Sequence, residues 1–183
     1  MNRKRITALL ALAALTAAVF AASAAWGSAG AAAVPAGELT LESMLAYAIQ
    51  DEYLARAEYI AIQQRYGIQR PFSNIQRSEE NHIAWLVDAY NTHGLPVPKD
   101  EAGRYVRIPA SLKDAFQTGV DAEVANIAMY DRFLATPLLA RPENAALRDL
   151  FTRLRDASQN HLQAFRTGRS EERRVGKECR SRW

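Results

Sequence analysis

Glu79 and His82 stand three residues apart in the stretch SEENHIAW (78–85), and His161 stands in the similar stretch ASQNHLQAF (157–165). Glutamate and histidine at i and i+3 of a helix share a face, so both side chains can reach one ion beside it. Carboxylate and imidazole together are ligands for iron, manganese or zinc. Glu52 and Glu123 add two further carboxylates, each followed seven residues later by a tyrosine, Tyr59 and Tyr130. A lone carboxylate in an apolar interior is expensive unless it is paired or bound to a cation. Three glutamates in one buried layer would repel one another unless protons or a metal neutralise them.

The elements that must carry these residues are helices. Apolar periodicity predicts four of them, and no useful stretch alternates with the period of a strand. The first covers about Leu41–Tyr66 and stops at Gly67. The second starts near Ser73, where Ser73 and Gln76 have capping-box spacing, and stops at Gly94. The third covers about Ser111–Ala135, ahead of Pro137. The fourth begins near Pro142, a favourable first-turn proline, and reaches about Arg166.

Taken every four and three residues, the inward stripes read Ala48, Glu52, Ala55, Tyr59 on the first helix and Ile75, Glu79, His82, Leu86 on the second. They continue as Gly119, Glu123, Asn126, Tyr130 on the third and Leu154, Ser158, His161, Phe165 on the fourth. Each is apolar at its ends and, in three of the four, clearly polar at its centre, as expected for the seam of an antiparallel four-helix bundle. The halves also match. Glu52 and Tyr59 correspond to Glu123 and Tyr130, while Glu79 and His82 correspond to Ser158 and His161, so the expected all-α fold is built from two helical hairpins.

The ends read differently. MNRKR followed by a long apolar, alanine-rich run has the layout of a secretory signal peptide over 1–25, with 26–38 as a linker to a domain over 39–168. The expected location is therefore periplasmic or extracellular, with an uncleaved N-terminal membrane anchor as the alternative. Residues 169–183 lose the apolar period, fill with arginine and resemble a translated adapter sequence, so they are expected to be a non-native tail outside the fold. The chain carries +3 overall; Arg3, Lys4 and Arg5 supply +3 and the tail a further net +3, which leaves the core at −3. That balance removes the basis for nucleic-acid binding. The one cysteine, Cys179, lies in the tail, so the core has neither disulfides nor thiolate ligands.

With Glu52, Glu79, His82, Glu123 and His161 on these stripes, the chain resembles the ferritin-like superfamily of carboxylate-bridged di-metal bundles. In that pattern two helices each give a glutamate and two others each give Glu-x-x-His. DEYLARAEY is similar to the first-helix signature of rubrerythrin-like members. EYLAR, FSNIQRSEENH and SQNHLQAF are closer still to an uncharacterised ferritin-like branch, a domain of unknown function in which serine at the Ser158 position is usual. The resemblance spans about Leu39–Phe165 and implies a four-helix bundle holding iron or manganese, with zinc as a further candidate. Ser158 departs from the di-iron pattern and leaves five strong ligands, with Asn126 as a weaker oxygen ligand.

Competing readings stand beside this one. The glutamates could pair with His82, His161, Arg56 or Arg77 in a metal-free network. Tyr59 and Tyr130 could orient ligands or carry a radical, or be core residues with satisfied hydroxyls. His93, just before Gly94, reads as a helix cap, and Glu58 and Glu80 read as solvated. Ser158 lacks the base and orienting group of an activated nucleophile. The functions that follow are non-haem redox chemistry on peroxide, oxygen or ferrous iron; metal sequestration without turnover; and a structural bundle. A metal ion is the expected partner, no membrane is expected for the mature domain, and a homodimer is allowed.

Overall fold

The computed structural model describes Val34 and residues 37–180, with side chains through Glu172. The expected signal segment and most of the linker lie outside the described residues. Four α-helices account for most of the rest: α1 (Leu41–Tyr66), α2 (Phe72–Thr92), α3 (Leu112–Leu134) and α4 (Ala145–Arg180). Short 3-10 turns occur at Ala102–Arg104 and Pro142–Asn144, and there is no strand among the described residues. No described helix is long and apolar enough to cross a membrane.

Local chemistry sets the helix ends. Thr40 caps α1 by accepting from the Ser43 amide, while the Ser43 side chain accepts from the Thr40 amide, a reciprocal box that satisfies two orphan donors. Gly67 closes α1 at φ 83°, and Gly94 follows α2 at φ 65°, both in the left-handed region that glycine adopts at little cost. Ser111 caps α3 through the Asp114 amide. The capping box expected at Ser73 and Gln76 does not form. The α2 helix begins one residue earlier, after Pro71, without a side-chain cap, because Gln76 is drawn sideways to Gln63 (2.7 Å) and Glu80 (3.1 Å).

The end of α4 also differs from expectation. Its backbone stays helical to Arg180 rather than stopping near Arg166. Arginine, glutamate and lysine are good helix formers, and a nucleated helix extends without an apolar stripe. The join to the tail also packs, since Arg169 donates to Gln117 on α3 and Gly168 lies against the Phe116 ring.

Most packing is between α1 and α2 and between α3 and α4, with lighter contact between α1 and α3 and between α2 and α4. Two apolar clusters result. One contains Met44, Leu45, Ile49, Leu86, Phe133, Phe151 and Leu154. The other contains Tyr59, Ile62, Phe72, Ile75, Phe116 and Phe165, with Phe72 5.1 Å from both Phe116 and Phe165. Each buried Phe or Leu contributes roughly 1.5–3 kcal/mol of transfer free energy. Close approach of α3 and α4 depends on Gly119, where a Cβ would meet the Phe165 ring at 2.8 Å. The connection between α2 and α3 is stitched to α1 by an Arg56–Asp100 ion pair and by the Tyr66 hydroxyl donating to the Pro109 carbonyl at 2.5 Å.

Candidate metal centre

A buried polar layer separates the two apolar clusters along every helix. Glu52 comes from α1, Glu79 and His82 from α2, Glu123 from α3 and His161 from α4, and none is more than 8% exposed. The spacing of the stripes is what brings them inward: each sits one helical turn from apolar residues that are themselves buried. All five residues singled out by sequence therefore lie in the core.

Their polar atoms meet. Nδ1 of His82 is 2.8 Å from Oε2 of Glu79 and 3.2 Å from Oε2 of Glu52. Nδ1 of His161 is 3.4 Å from Oε1 of Glu79 and 3.3 Å from Oε1 of Glu123. The two imidazoles stack with centroids 5.7 Å apart and planes 23° apart. The result is two triads, Glu52–Glu79–His82 and Glu79–Glu123–His161, each with three ligand atoms within 4.8 Å of one another and with Glu79 common to both.

The tyrosines cross between the halves. Tyr59 on α1 donates to Oε1 of Glu123 on α3 at 3.3 Å, and Tyr130 on α3 donates to Oε1 of Glu52 on α1 at 3.0 Å. The repeat seen in sequence thus becomes a reciprocal pair of carboxylate clamps. Glu52 and Glu79 engage both of their oxygens. Glu123 uses Oε1 twice and leaves Oε2 buried without a partner, as is Oδ1 of Asn126 one turn along α3. Such orphaned buried oxygens cost about 1–3 kcal/mol each unless something binds them.

The electrostatics follow from three carboxylates around two imidazoles in a dry interior. Burial raises Glu52 well above the ordinary carboxylate range, Glu79 beside it adds to the rise, and His82 opposes it. Burial also raises Glu123, against the pull of His161 and of Ser158. For Glu79 burial acts upward too, but the hydrogen bonds from His161 and His82 outweigh it and hold the group at about 2. Burial works to lower the histidines, yet the carboxylates overcome it, pushing His82 up to about 9 and His161 up to about 10. Burial raises both tyrosines strongly, with neighbouring carboxylates reinforcing it, so both hydroxyls stay protonated as donors.

The remaining candidates fall into place. Ser158 is buried on α4 one turn before His161, and Asn126 is buried beside Glu123. Neither arginine considered as a partner reaches the layer, because Arg56 pairs with Asp100 and Arg77 binds Asn74. His93 is the C-terminal cap of α2. Glu80 is exposed as expected, but Glu58 is not solvated: it is half-buried, and burial raises it to about 7. Contact with α2, with α3 and with the α2–α3 connection covers α1 residues beyond the seam. Two residues went unnoticed in the sequence. Oγ of Ser78 lies 3.1 Å from Nε2 of His82, and the Trp85 ring lies 5.3 Å from the His82 ring, with the Arg153 guanidinium over the Trp85 ring at 3.9 Å. The signal for Ser78 was available, since a residue four before a histidine shares its helix face.

The donor set fits a hard or borderline cation. Carboxylates and imidazoles are supplied without thiolate, and the unpartnered Glu123 and Asn126 oxygens provide further acceptors. No protein-family model, curated protein or solved structure matches the chain.

Proposed function

We propose that the protein is an exported, ferritin-like bundle whose two triads hold a pair of iron or manganese ions, with Glu79 shared between them. The observation that carries this reading is the convergence of the two Glu/His triads on one buried carboxylate. Ferritin-like topology gains support from the order in which the helices traverse the two apolar clusters. Along α1 the cluster of Met44 and Ile49 comes before that of Tyr59 and Ile62, whereas α2 meets them in reverse; α3 and α4 are likewise opposed. Export rests on the N-terminal charge and apolar run.

A redox-active ion bound here supplies one-electron chemistry toward peroxide or oxygen, including oxidation of ferrous iron. The chain's part is to bind and orient. Glu52, Glu79 and Glu123 supply negative charge that bound cations neutralise, and Tyr59 and Tyr130 fix two of those carboxylates by donating to them. The apolar clusters on either side keep bulk water out and strengthen each interaction. Ser158, too short to match a glutamate, leaves α4 with one strong ligand.

A second reading, a metal-free polar layer that fixes helix register, draws on the same Glu–His pairs. It gives no role to the orphaned Glu123 and Asn126 oxygens. Elemental analysis of the purified protein, followed by reconstitution with ferrous or manganous ion, separates the two. Stoichiometric uptake is expected. A protein that neither carries nor accepts metal would sink the proposal, and peroxide consumption by the loaded protein distinguishes turnover from sequestration.

A further inference from the structure

We infer that the two triads are unequal, and that the Ser78 hydroxyl makes Glu52–Glu79–His82 the tighter of the two. The inference rests on the metal reading above and deepens it by assigning a positioning residue and an order of filling. Each imidazole turns Nδ1 toward the carboxylates, so a ligating ring must present its lone pair there and carry its proton on Nε2. For His82 that N–H faces Oγ of Ser78 at 3.1 Å, one turn earlier on α2. By accepting it, the hydroxyl selects the ligating tautomer and fixes the plane of the ring.

On α4 the matching position is Ala157, half-buried like Ser78 but without a hydroxyl. The rest of the layer is asymmetric in the same direction. The His82 ring has the Trp85 ring 5.3 Å away in addition to the His161 ring at 5.7 Å. Glu52 has both oxygens engaged, one by Tyr130 and one by His82, whereas Glu123 leaves Oε2 free of partners. Glu79 sits closer to His82, at 2.8 Å, than to His161, at 3.4 Å. The first triad is thus the more pre-organised, and less ordering remains to oppose binding there.

Calorimetric titration of the metal-free full chain with manganous ion tests this. Wild type is expected to bind in a tighter and a weaker step. Ser78→Ala should weaken the tighter step by roughly 10- to 100-fold and leave the weaker one unchanged. Ser78→Thr, which keeps a hydroxyl, should retain wild-type affinity. Ala157→Ser should strengthen the weaker step, a gain that a merely structural role for the α2 serine would not produce. Two equal steps in wild type, or a Ser78→Ala isotherm that overlays wild type together with no effect of Ala157→Ser, overturns the inference while leaving the metal site standing. A wild type that takes up no ion overturns the metal reading and this inference with it.

Discussion

Oε1 of Glu79 on α2 lies 3.4 Å from Nδ1 of His161 on α4, although the other oxygen of Glu79 already holds His82 on its own helix. One carboxylate therefore serves both triads, and the consequences of removing it differ from those of removing any other ligand. Glu79→Gln is expected to abolish uptake of both ions, whereas His161→Ala should abolish only one. Metal stoichiometry per chain reads the difference directly; equal losses in the two variants would contradict a shared ligand.

The crossed tyrosines give a milder, paired expectation. Tyr130→Phe releases Glu52 and Tyr59→Phe releases Glu123, each removing one buried hydrogen bond without opening a large cavity. Each should lower stability by about 0.5–1.5 kcal/mol, the usual net worth of such a bond, and Tyr130→Phe by more, because it strands Oε1 of Glu52 whereas Oε1 of Glu123 keeps His161. Denaturant unfolding should show a loss in both variants, the larger in Tyr130→Phe. A large loss in one and none in the other would argue against equivalent roles for the two halves.

The pH dependence has a definite sign. In the metal-free protein His82 and His161 are raised to about 9 and about 10. A raised folded-state pKa contributes stability that is fully present below the unfolded value near 6.5 and is lost as pH climbs through 9 to 10. Metal must displace the same protons, so affinity should increase with pH across that range. The melting difference between loaded and metal-free protein should therefore widen from pH 6 to pH 9. A difference that shrank as pH rose would exclude the histidines as ligands.

Packing between α3 and α4 supplies an expectation independent of metal. At Gly119 an added methyl would meet the Phe165 ring at 2.8 Å, and that ring is itself buried against Tyr59 and Phe72. Gly119→Ala should cost about 1–3 kcal/mol through overpacking. Adding Phe165→Leu to the Gly119→Ala protein should cost less than Phe165→Leu alone. Strict additivity in that double-mutant cycle would show that the two sites do not touch.

The all-helical character and the buried charged layer were legible in the sequence for one reason. A stripe that is apolar at both ends and polar in the middle repeats with the helical period, so Glu52, Glu79, His82, Glu123 and His161 could be placed inward from spacing alone. What escaped depended on neighbours in space. The Ser73–Gln76 cap lost to the contacts of Gln76 with Gln63 and Glu80. Glu58 reads as a surface residue on a helical wheel, yet it is partly covered. The continuation of α4 beyond Arg166 was hidden because extension of an established helix requires good helix formers rather than an apolar face. Ser78 is the instructive omission, since its value lies only in the ring nitrogen it faces.

The most direct test compares thermal melting of wild type and Glu123→Gln, each with and without manganous ion. At about 100 times its dissociation constant, each bound ion stabilises the fold by about 2.7 kcal/mol, which corresponds to a rise of roughly 5–10 °C per ion for a domain of this size. The wild type should show the rise of both ions, and the variant should keep only the part that the intact Glu52–Glu79–His82 triad supplies. Without metal, Glu123→Gln should melt at or above wild type, because burial already opposes the charge on this carboxylate. A metal-free salt-bridge network gives the reverse: no response of the wild type to the ion, and a variant that melts well below it because His161 has lost a partner. That outcome would contradict the metal centre.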